Sequence, residues 1–187
     1  MNEALILASA SPRRRELLGY MGVPFTVVSA DAEEVETGTP REIVEKNALL
    51  KGETVLRRCP GRVVLAADTL VNVDGEVLGK PKDAQDAKRM LRLLSGAWHE
   101  VHTGVALFSM KGIARRHVVT RVHFVTLSEE TIERYVLSGE PMDKAGAYAL
   151  QGIGGMFVDS IEGSYSNVIG LPMATVRALL IEAGYAL

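Results

Sequence analysis

Cysteine is almost absent from this chain of 187 residues, in which Cys59 is the only one. A single cysteine excludes an internal disulfide, and we therefore expect a reducing location, the cytoplasm. The sequence also lacks an apolar run of the roughly 20 residues that a helix needs to cross a bilayer, and its N-terminus lacks the layout of a signal peptide. We expect no membrane association.

An excess of positive charge is also lacking, and so are aromatic side chains. The formal net charge is −2, and aromatic residues make up 5% of the chain. An RNA-binding protein would show a broad basic surface with stacking aromatics, so we expect no nucleic-acid partner. Apolar residues, at 47% of the sequence, suffice for a sizeable core, and we expect residues 1–187 to form a single domain.

The segment LILASASPRRREL joins a short apolar strand, Ala4 to Ala8, to a helix through a polar turn. Ser11 is a good N-cap residue, and Pro12 suits the first helical position. Free amides in a first helical turn bind anions, and arginine side chains suit phosphate oxygens, so the segment predicts a phosphate-binding turn. The arginines are Arg13, Arg14 and Arg15. The alternative is that Arg15 and one of the others only cover the helix surface.

Hydrophobic periodicity predicts alternating strands and helices. Thr39, Pro40 and Glu42 form a capping-box pattern that begins a helix running to about Arg58. Further helices are expected at 83–94, from 128 to 139 and after 172, and strands at 25–28, 62–67, 101–109 and 115–124. Residues 71–78 enclose Asp74 and Gly75, a pair that predicts a hairpin turn. The class is α/β with a mixed sheet, which we expect to fold as two lobes around a central cleft.

Two polar clusters are expected at the carboxyl ends of strands, where ligands gather in open α/β sheets. One is the turn after Ala8, and the other is the pair Asp68 and Thr69, which follows the apolar run VVLAA. A buried carboxylate needs a partner or a metal, although Asp68 could also simply cap a turn. Lys51 lies on the helix that Pro40 begins and Lys80 lies just before a proline-fixed loop, and each could be only a solvated charge.

The segment SGEPMDKAGAYALQG, residues 138–152, is unusually rich in polar residues and glycine for a connecting loop. Asp143 and Lys144 could bind a charged ligand or pair with each other. Gln151 offers donors and an acceptor that can recognise the polar edge of a pyrimidine base. The later run EGSYSNVIGLP is also loop-like, and its polar residues are explained by turn chemistry alone.

Six segments together resemble the Maf family of nucleoside triphosphate pyrophosphatases: SASPRRREL, VLAADTLV, LGKP, LSGAWHEVHTGV, SGEPMDKAGAYALQG and GSYSNVIGLP. The resemblance extends from Leu5 to about Pro172. DKAGAY followed by Gln151 is similar to the branch that hydrolyses dTTP and UTP, and it differs from the branch that acts on 7-methyl-GTP. The resemblance implies a fold related to inosine triphosphate pyrophosphatases and hydrolysis of dTTP, UTP or modified pyrimidine nucleotides to the monophosphate and pyrophosphate.

The same resemblance implies roles for particular residues. Asp68 falls on the catalytic acidic position, and Arg13, Thr69 and Gln151 fall on positions that set substrate specificity. The remaining substrate-binding candidates are Ser9, Ser11, Arg14, Lys51, Lys80, Asp143 and Lys144.

A divalent cation, Mg²⁺ or Mn²⁺, is also implied by the resemblance. Mg²⁺ is typically held by one or two carboxylates together with substrate phosphates, and Asp68 and Glu34 are the candidates. The acidic segment departs from the family pattern, because many relatives have Asp-x-Asp-Glu where this chain has Asp31, Ala32, Glu33 and Glu34.

A second class of function stays open at this stage. A non-catalytic nucleotide-binding regulator of cell division, suggested by the family's older description as septum-formation inhibitors, would keep the basic pocket without needing Asp68. The motifs do not fix the oligomeric state, and a homodimer is left open.

Overall fold

The computed structural model describes residues 5–187, so Ala4 of the predicted first strand lies outside the described residues. Within this range the strands are β1 (Leu5–Ala8), β2 (Phe25–Val27), β3 (Val63–Val73), β4 (Glu76–Leu78), β5 (Trp98–Ser109), β6 (Gly112–Phe124) and β7 (Val158–Glu162). The α-helices are α1 (Pro12–Gly19), α2 (Pro40–Arg58), α3 (Ala84–Leu94), α4 (Glu129–Leu137), α5 (Tyr165–Ile169) and α6 (Met173–Ala183). No helix in this described part is long and apolar enough to span a bilayer.

The strands form one mixed sheet, which confirms the predicted α/β class. Their order is β2-β1-β3-β5-β6-β7, and β4 pairs with β3 outside this path. Strand β1 is parallel to both β2 and β3, whereas β4 is antiparallel to β3 and β7 is antiparallel to β6.

The chain divides into two compact units. The first unit comprises the chain up to Asp68, Thr103–Val118 and Gly170–Leu187, and the second comprises Thr69–His102 and Val119–Ile169. Each unit has a hydrophobic cluster of its own. The first includes Ile6, Ala8, Ala48, Val55, Val64, Ala66, Ala106 and Phe108. The second includes Leu78, Leu91, Phe124, Ile132, Tyr135 and Phe157.

Local sequence signals determine where the helices begin and where the first hairpin turns. Four predicted starts are confirmed by capping, because the side chain of the N-cap residue accepts a hydrogen bond from a backbone amide three residues later. These N-caps are Ser11, Thr39, Asp83 and Ser128. Between β3 and β4, Asp74 and Gly75 both have positive φ, as a type I′ turn requires, so the predicted hairpin is also confirmed.

Two expectations about local structure were wrong. Asp68 does not end a strand, because β3 continues to Val73 and its last residues pair with β4. The run EGSYSNVIGLP is not only turns, since it contains the short helix α5. In both places a tertiary contact supports regular structure where the local sequence is ambiguous: the ladder with β4 extends β3, and the buried Asn167 in α5 bonds to the carbonyl oxygen of Val101.

Helix α2 lies close to strand β5 because each of the two elements contains a glycine that faces the other element. A Cβ atom added at Gly52 would lie 2.0 Å from the ring of Phe108, and one added at Gly104 would lie 2.3 Å from the carbonyl oxygen of Val44. Neither contact could be accommodated without movement of buried atoms. This close approach fixes the position of α2, the helix that carries Lys51, within the first unit.

We expect Gly52→Ala to lower the free energy of unfolding. Alanine in a helix gains about 1 kcal/mol over glycine in intrinsic propensity. Overpacking a rigid core typically costs about 1–3 kcal/mol, and a 2.0 Å approach to the buried Phe108 ring is severe enough for this term to dominate. Urea unfolding at constant pH measures the change.

Gly19→Ala is the matched control for this substitution. A Cβ added at Gly19, the last residue of α1, would meet nothing within 4 Å. The control protein should be as stable as the wild type or more stable. An equal or higher stability for Gly52→Ala would contradict the close packing of α2 on β5.

Candidate active site

The carboxylate of Asp68 is buried inside strand β3. Parallel pairing between β1 and β3 ends at Ala8 and Ala66, so Asp68 follows two residues beyond the end of that pairing. Asp68 is only 8% exposed. A buried carboxylate has to be compensated by a cation or by hydrogen-bond donors, and the structure shows both.

Two residues of helix α2 contact the Asp68 carboxylate. The ammonium of Lys51 lies 2.6 Å from Oδ1, and the amide nitrogen Nδ2 of Asn47 donates to Oδ2 over 3.1 Å. Positions four residues apart lie on the same face of a helix, which is why both side chains reach one strand residue. Lys51 is therefore not merely a solvated charge, since in this structure it neutralises a carboxylate.

The acidic segment before α2 is held against the same residues. The Glu34 carboxylate lies 2.9 Å from the Lys51 ammonium. Asn47 accepts a hydrogen bond from the Val35 amide at 2.7 Å and donates to the Val35 carbonyl at 3.0 Å. We call Glu34, Asn47, Lys51 and Asp68 the Asp68 cluster.

Asn47 was not among the predicted site residues. It is 2% exposed and bonds to both the acidic segment and Asp68. The available signal was its place in the apolar stripe of α2, where Ile43, Val44 and Ala48 are buried. A polar residue at such a position has to find hydrogen-bond partners, so it indicates a buried polar contact.

The turn predicted to bind phosphate has the expected helix cap. Ser11 accepts a hydrogen bond from the Arg14 amide at 3.4 Å, and the buried Ser9 hydroxyl accepts from the Ser11 amide at 3.2 Å. The Arg14 guanidinium donates to the Gly170 carbonyl at 2.8 Å and to Ser9 Oγ at 3.4 Å. Arg13 is half-buried, whereas Arg15 is exposed, as the surface alternative proposed for that residue.

The Arg14 side chain is close enough to the Asp68 cluster to interact with it electrostatically. Loss of solvent lowers the pKa of Arg14, and the nearby negative charges of Asp68 and Glu34 oppose this effect. The turn predicted to bind phosphate and the Asp68 cluster therefore belong to one region of the first unit.

The donor set of this region fits a divalent cation of the magnesium type. The carboxylates of Glu34 and Asp68 both point at one position, which the Lys51 ammonium occupies here. Within residues 5–187 no group of three or more histidine, cysteine, aspartate or glutamate residues could hold a metal ion. Two carboxylates match the usual protein contribution to a Mg²⁺ site, in which water and phosphate oxygens supply the other ligands.

The second unit joins the LGKP and DKAGAY segments through their backbones. The Gly146 amide donates to the Gly79 carbonyl at 3.0 Å, next to the exposed Lys80. Gly146 has a φ of +70°, and a Cβ atom there would lie 2.7 Å from a methyl group of Val71. Only glycine fits this position without strain, which explains the glycine within DKAGAY.

Asp143 and Lys144 pair with each other, which was one of the two alternatives left open by the sequence. The Lys144 ammonium also donates to the Glu140 carbonyl at 3.2 Å. Lys144 is therefore held near the backbone of its own loop. Thr69 is half-buried, and because it follows Asp68 on β3 its side chain lies on the opposite face of the strand.

Gln151 is exposed and lies on a turn of residues 149–154, which we call the Gln151 turn. The Glu140 carboxylate accepts hydrogen bonds from the Ile153 and Gly154 amides at 2.9 and 3.0 Å and from the Tyr135 hydroxyl at 2.8 Å. Glu140 was not predicted either. Its only sequence signal is a glutamate inside a glycine- and proline-rich loop, which by itself indicates a solvated side chain.

A buried histidine supports the start of the Gln151 turn. His99 Nε2 lies 2.9 Å from the Tyr148 hydroxyl, and both rings pack edge-on against Phe124. Burial lowers the pKa of His99 to about 4, with a smaller effect from the nearby His123. His99 is therefore a neutral structural residue at pH 7.

We expect His99 to make the protein less stable as the pH falls from about 6.5 to 4. The unfolded chain protonates His99 near its ordinary pKa of 6.5 while the folded protein keeps it neutral, so the unfolded state binds more protons in this window. The contribution amounts to about 3 kcal/mol at pH 4. Urea unfolding at pH 7, 5.5 and 4 should give a shallower pH dependence for His99→Gln than for the wild type. Parallel curves would show that His99 titrates normally in the folded protein.

Comparison with known proteins agrees with the motif resemblance. The family model described as Maf-like protein matches residues 4–183, so the chain belongs to the Maf family. A protein of Anaeromyxobacter dehalogenans named dTTP/UTP pyrophosphatase is 52% identical over 193 residues, which cover 100% of this chain and 97% of the relative. Proteins with the same name from Symbiobacterium thermophilum and Dictyoglomus thermophilum are 50% and 45% identical, covering 98% and 100% of this chain and 95% and 100% of their own lengths.

Among solved structures, the Ham1 protein of Staphylococcus aureus is similar with a TM-score of 0.46 and 16% identity, covering 65% of this chain and 72% of that one. The predicted relation to inosine triphosphate pyrophosphatases stays a prediction.

Proposed function

We propose that this chain is a nucleoside triphosphate pyrophosphatase that hydrolyses dTTP and UTP to the monophosphate and pyrophosphate. The observation that carries the proposal is the identity of 45–52% over essentially the whole chain with three relatives named dTTP/UTP pyrophosphatases. Such identity includes both units and all segments that carry the candidate site residues. The buried, compensated carboxylate of Asp68 supports it, because hydrolysis needs a fixed group that orients water.

In the proposed reaction Asp68 orients the attacking water and accepts its proton. Both carboxylate oxygens already accept one hydrogen bond, from Lys51 and from Asn47, and each retains a lone pair for a further donor. Asn47 thereby fixes the orientation of the base. Glu34 and Asp68 would hold a divalent cation such as Mg²⁺ or Mn²⁺ in the position that the Lys51 ammonium takes here, and the cation would neutralise charge on the phosphates.

Basic side chains are proposed to bind the triphosphate. Arg13 and Arg14 belong to the helix start predicted to bind phosphate, and Lys80 is exposed beside the loop that contains Lys144. Lys51 can contribute to phosphate binding only if it exchanges one of its carboxylate partners for a phosphate oxygen. Thr69 and Gln151 are proposed to recognise the base.

Modified pyrimidine nucleotides are included in the proposed substrate class, since recognition of the polar base edge does not depend on the substituents elsewhere on the ring. A cytoplasmic location and a homodimeric state remain predictions.

The products test the proposed reaction. The purified protein, incubated with Mg²⁺ and a panel of UTP, dTTP, CTP, GTP and 5-substituted pyrimidine triphosphates, should release pyrophosphate chiefly from the uridine and thymidine nucleotides. In oxygen-18 water the label should enter the monophosphate alone, because water attacks the α phosphate. Orthophosphate as the first product, or label in pyrophosphate, would contradict this reaction. Nucleotide binding without turnover would favour the non-catalytic regulator.

We expect Asp68→Asn to lower kcat by at least about 100-fold while UTP binding survives. The amide keeps the shape of the carboxylate but cannot accept the proton of the attacking water, and it removes a negative charge near the phosphates. Calorimetric titration with a non-hydrolysable UTP analogue measures binding, and thermal unfolding checks the fold. Glu45→Gln, which removes a half-buried carboxylate paired with Arg41 from the same helix as Lys51, is the control and should keep normal turnover. Near-normal turnover in a folded Asp68→Asn protein would remove Asp68 from the reaction.

A further inference from the structure

The Gln151 turn has little intrinsic rigidity. It contains Gly152 and Gly154, and a backbone bond from the Gly152 amide to the Ala149 carbonyl, at 3.3 Å, closes its first half before a short 3₁₀-helix begins at Ile153. Gln151 is exposed. An exposed glutamine on a glycine-rich turn can recognise a base selectively only if other residues fix its backbone.

Two side chains hold this turn from both ends. At the second half of the turn, the Glu140 carboxylate accepts from the amides of Ile153 and Gly154. At the first half, the Tyr135 hydroxyl accepts from the Ala149 amide at 3.2 Å and donates to Glu140 Oε1 at 2.8 Å. Tyr135 is 1% exposed and packs edge-on against Phe157, so this anchor is rigid.

The glycines of the turn provide an independent observation. A Cβ atom at Gly152 would lie 2.2 Å from Glu140 Oε2, and one at Gly154 would lie 2.6 Å from the Tyr135 hydroxyl. The backbone on either side of Gln151 can approach the two anchoring groups only because both positions lack a side chain. The sequence of the turn is thus matched to the carboxylate and hydroxyl that bind it.

The charge state of the Glu140 carboxylate is also well defined. Burial acts to raise the pKa of Glu140, but the hydrogen bonds from Gly154, Ile153 and Tyr135 outweigh it and lower the pKa overall. Glu140 is therefore an ionised acceptor at neutral pH, and hydrogen bonds to an ionised group are stronger than those between neutral groups. Burial raises the pKa of Tyr135, which keeps its hydroxyl protonated as a donor.

We propose that Glu140, acting with Tyr135, is the positioning residue that fixes the Gln151 turn and thereby sets the preference for uridine and thymidine nucleotides. The proposal rests on the proposed function and deepens it. Glu140 acts through Gln151 and does not itself contact the substrate. Its backbone carbonyl also binds the Lys144 ammonium at 3.2 Å, so one residue restrains two candidates for substrate binding.

The test compares base selectivity in four variants with the wild type. Glu140→Gln keeps the size of the side chain but replaces one acceptor oxygen with a donor NH₂ group, which faces a backbone amide or the Tyr135 hydroxyl. Tyr135→Phe removes only the hydroxyl and keeps the ring. Gln151→Ala and the double variant Glu140→Gln/Gln151→Ala complete the set. The control is Glu162→Gln, which removes an exposed ion pair with Arg121 in the same unit.

We expect the ratio of kcat/KM for UTP to that for CTP to fall about ten-fold in Glu140→Gln, Tyr135→Phe and Gln151→Ala, as expected for the loss of one well-placed hydrogen bond to the base. The loss in kcat/KM for UTP should come from KM, with kcat changed by less than about three-fold. The double variant should be no less selective than Gln151→Ala. Glu140 is proposed to affect the base only through Gln151, so its substitution should have no further effect once Gln151 is truncated. The control should keep wild-type selectivity.

Hydrogen exchange supplies a readout that does not depend on activity. In Glu140→Gln the amides of Ile153 and Gly154 should exchange at least ten-fold faster than in the wild type, while amides in strand β5 stay unchanged.

Two outcomes would overturn the positioning role. The first is wild-type selectivity in Glu140→Gln or Tyr135→Phe while Gln151→Ala loses selectivity. The second is an equal fall in kcat/KM for all nucleotides. The equal fall would indicate a purely structural role. If Glu140→Gln fails to fold, Tyr135→Phe alone decides between these results. A wild type that releases no pyrophosphate from any nucleotide refutes the proposed function instead. The exchange data then still show whether Glu140 restrains the Gln151 turn.

Discussion

The ion pair between Asp68 and Lys51 connects the fold of the first unit to its chemistry. Both side chains are nearly buried, and removing one partner of a buried pair typically costs roughly 3–5 kcal/mol, because an uncompensated charge remains. The pair therefore requires α2 and β3 to stay at one spacing. Gly52 and Gly104 provide that spacing by allowing the helix to lie close to β5. The packing of α2 on β5 is thus needed for Lys51 to neutralise the Asp68 carboxylate.

The two units solve a similar problem in the same way. In each unit a half-buried or buried side chain binds the backbone of a polar segment. Asn47 binds both the amide and the carbonyl of Val35, and Glu140 binds two successive amides of the Gln151 turn. Side chains that satisfy backbone groups can hold a loop in one conformation where hydrophobic burial cannot.

The sequence predicted features that depend on neighbouring residues. The caps at Ser11 and Thr39 and the turn at Asp74 and Gly75 follow from hydrogen bonds and backbone preferences within a few positions, and all are present. The motif resemblance implied a substrate-binding role for Lys51, but not its contact with Asp68.

Contacts between distant segments could not be predicted in this way. Asn47 bonds to Asp68 across 21 positions and Glu140 to Gly154 across 14, and neither pairing has a local signal. The extension of β3 past Asp68 was missed for the same reason, since it depends on the ladder with β4. A polar residue whose role is to hold another segment in place is therefore harder to identify from sequence than a residue whose side chain itself suggests a catalytic or binding role.

Asp68 and Thr69 are consecutive residues within a continuous strand, so the two side chains lie on opposite faces of the sheet. A shift of the strand by a single residue would exchange them, because side chains alternate with a period of two. The register of β3 is set on one side by its parallel pairing with β1 and on the other by the hairpin at Asp74 and Gly75. This tight turn therefore helps to set the register of β3, although it lies several residues from the nearest site residue. The register determines that a carboxylate, rather than a hydroxyl, faces the ammonium of Lys51.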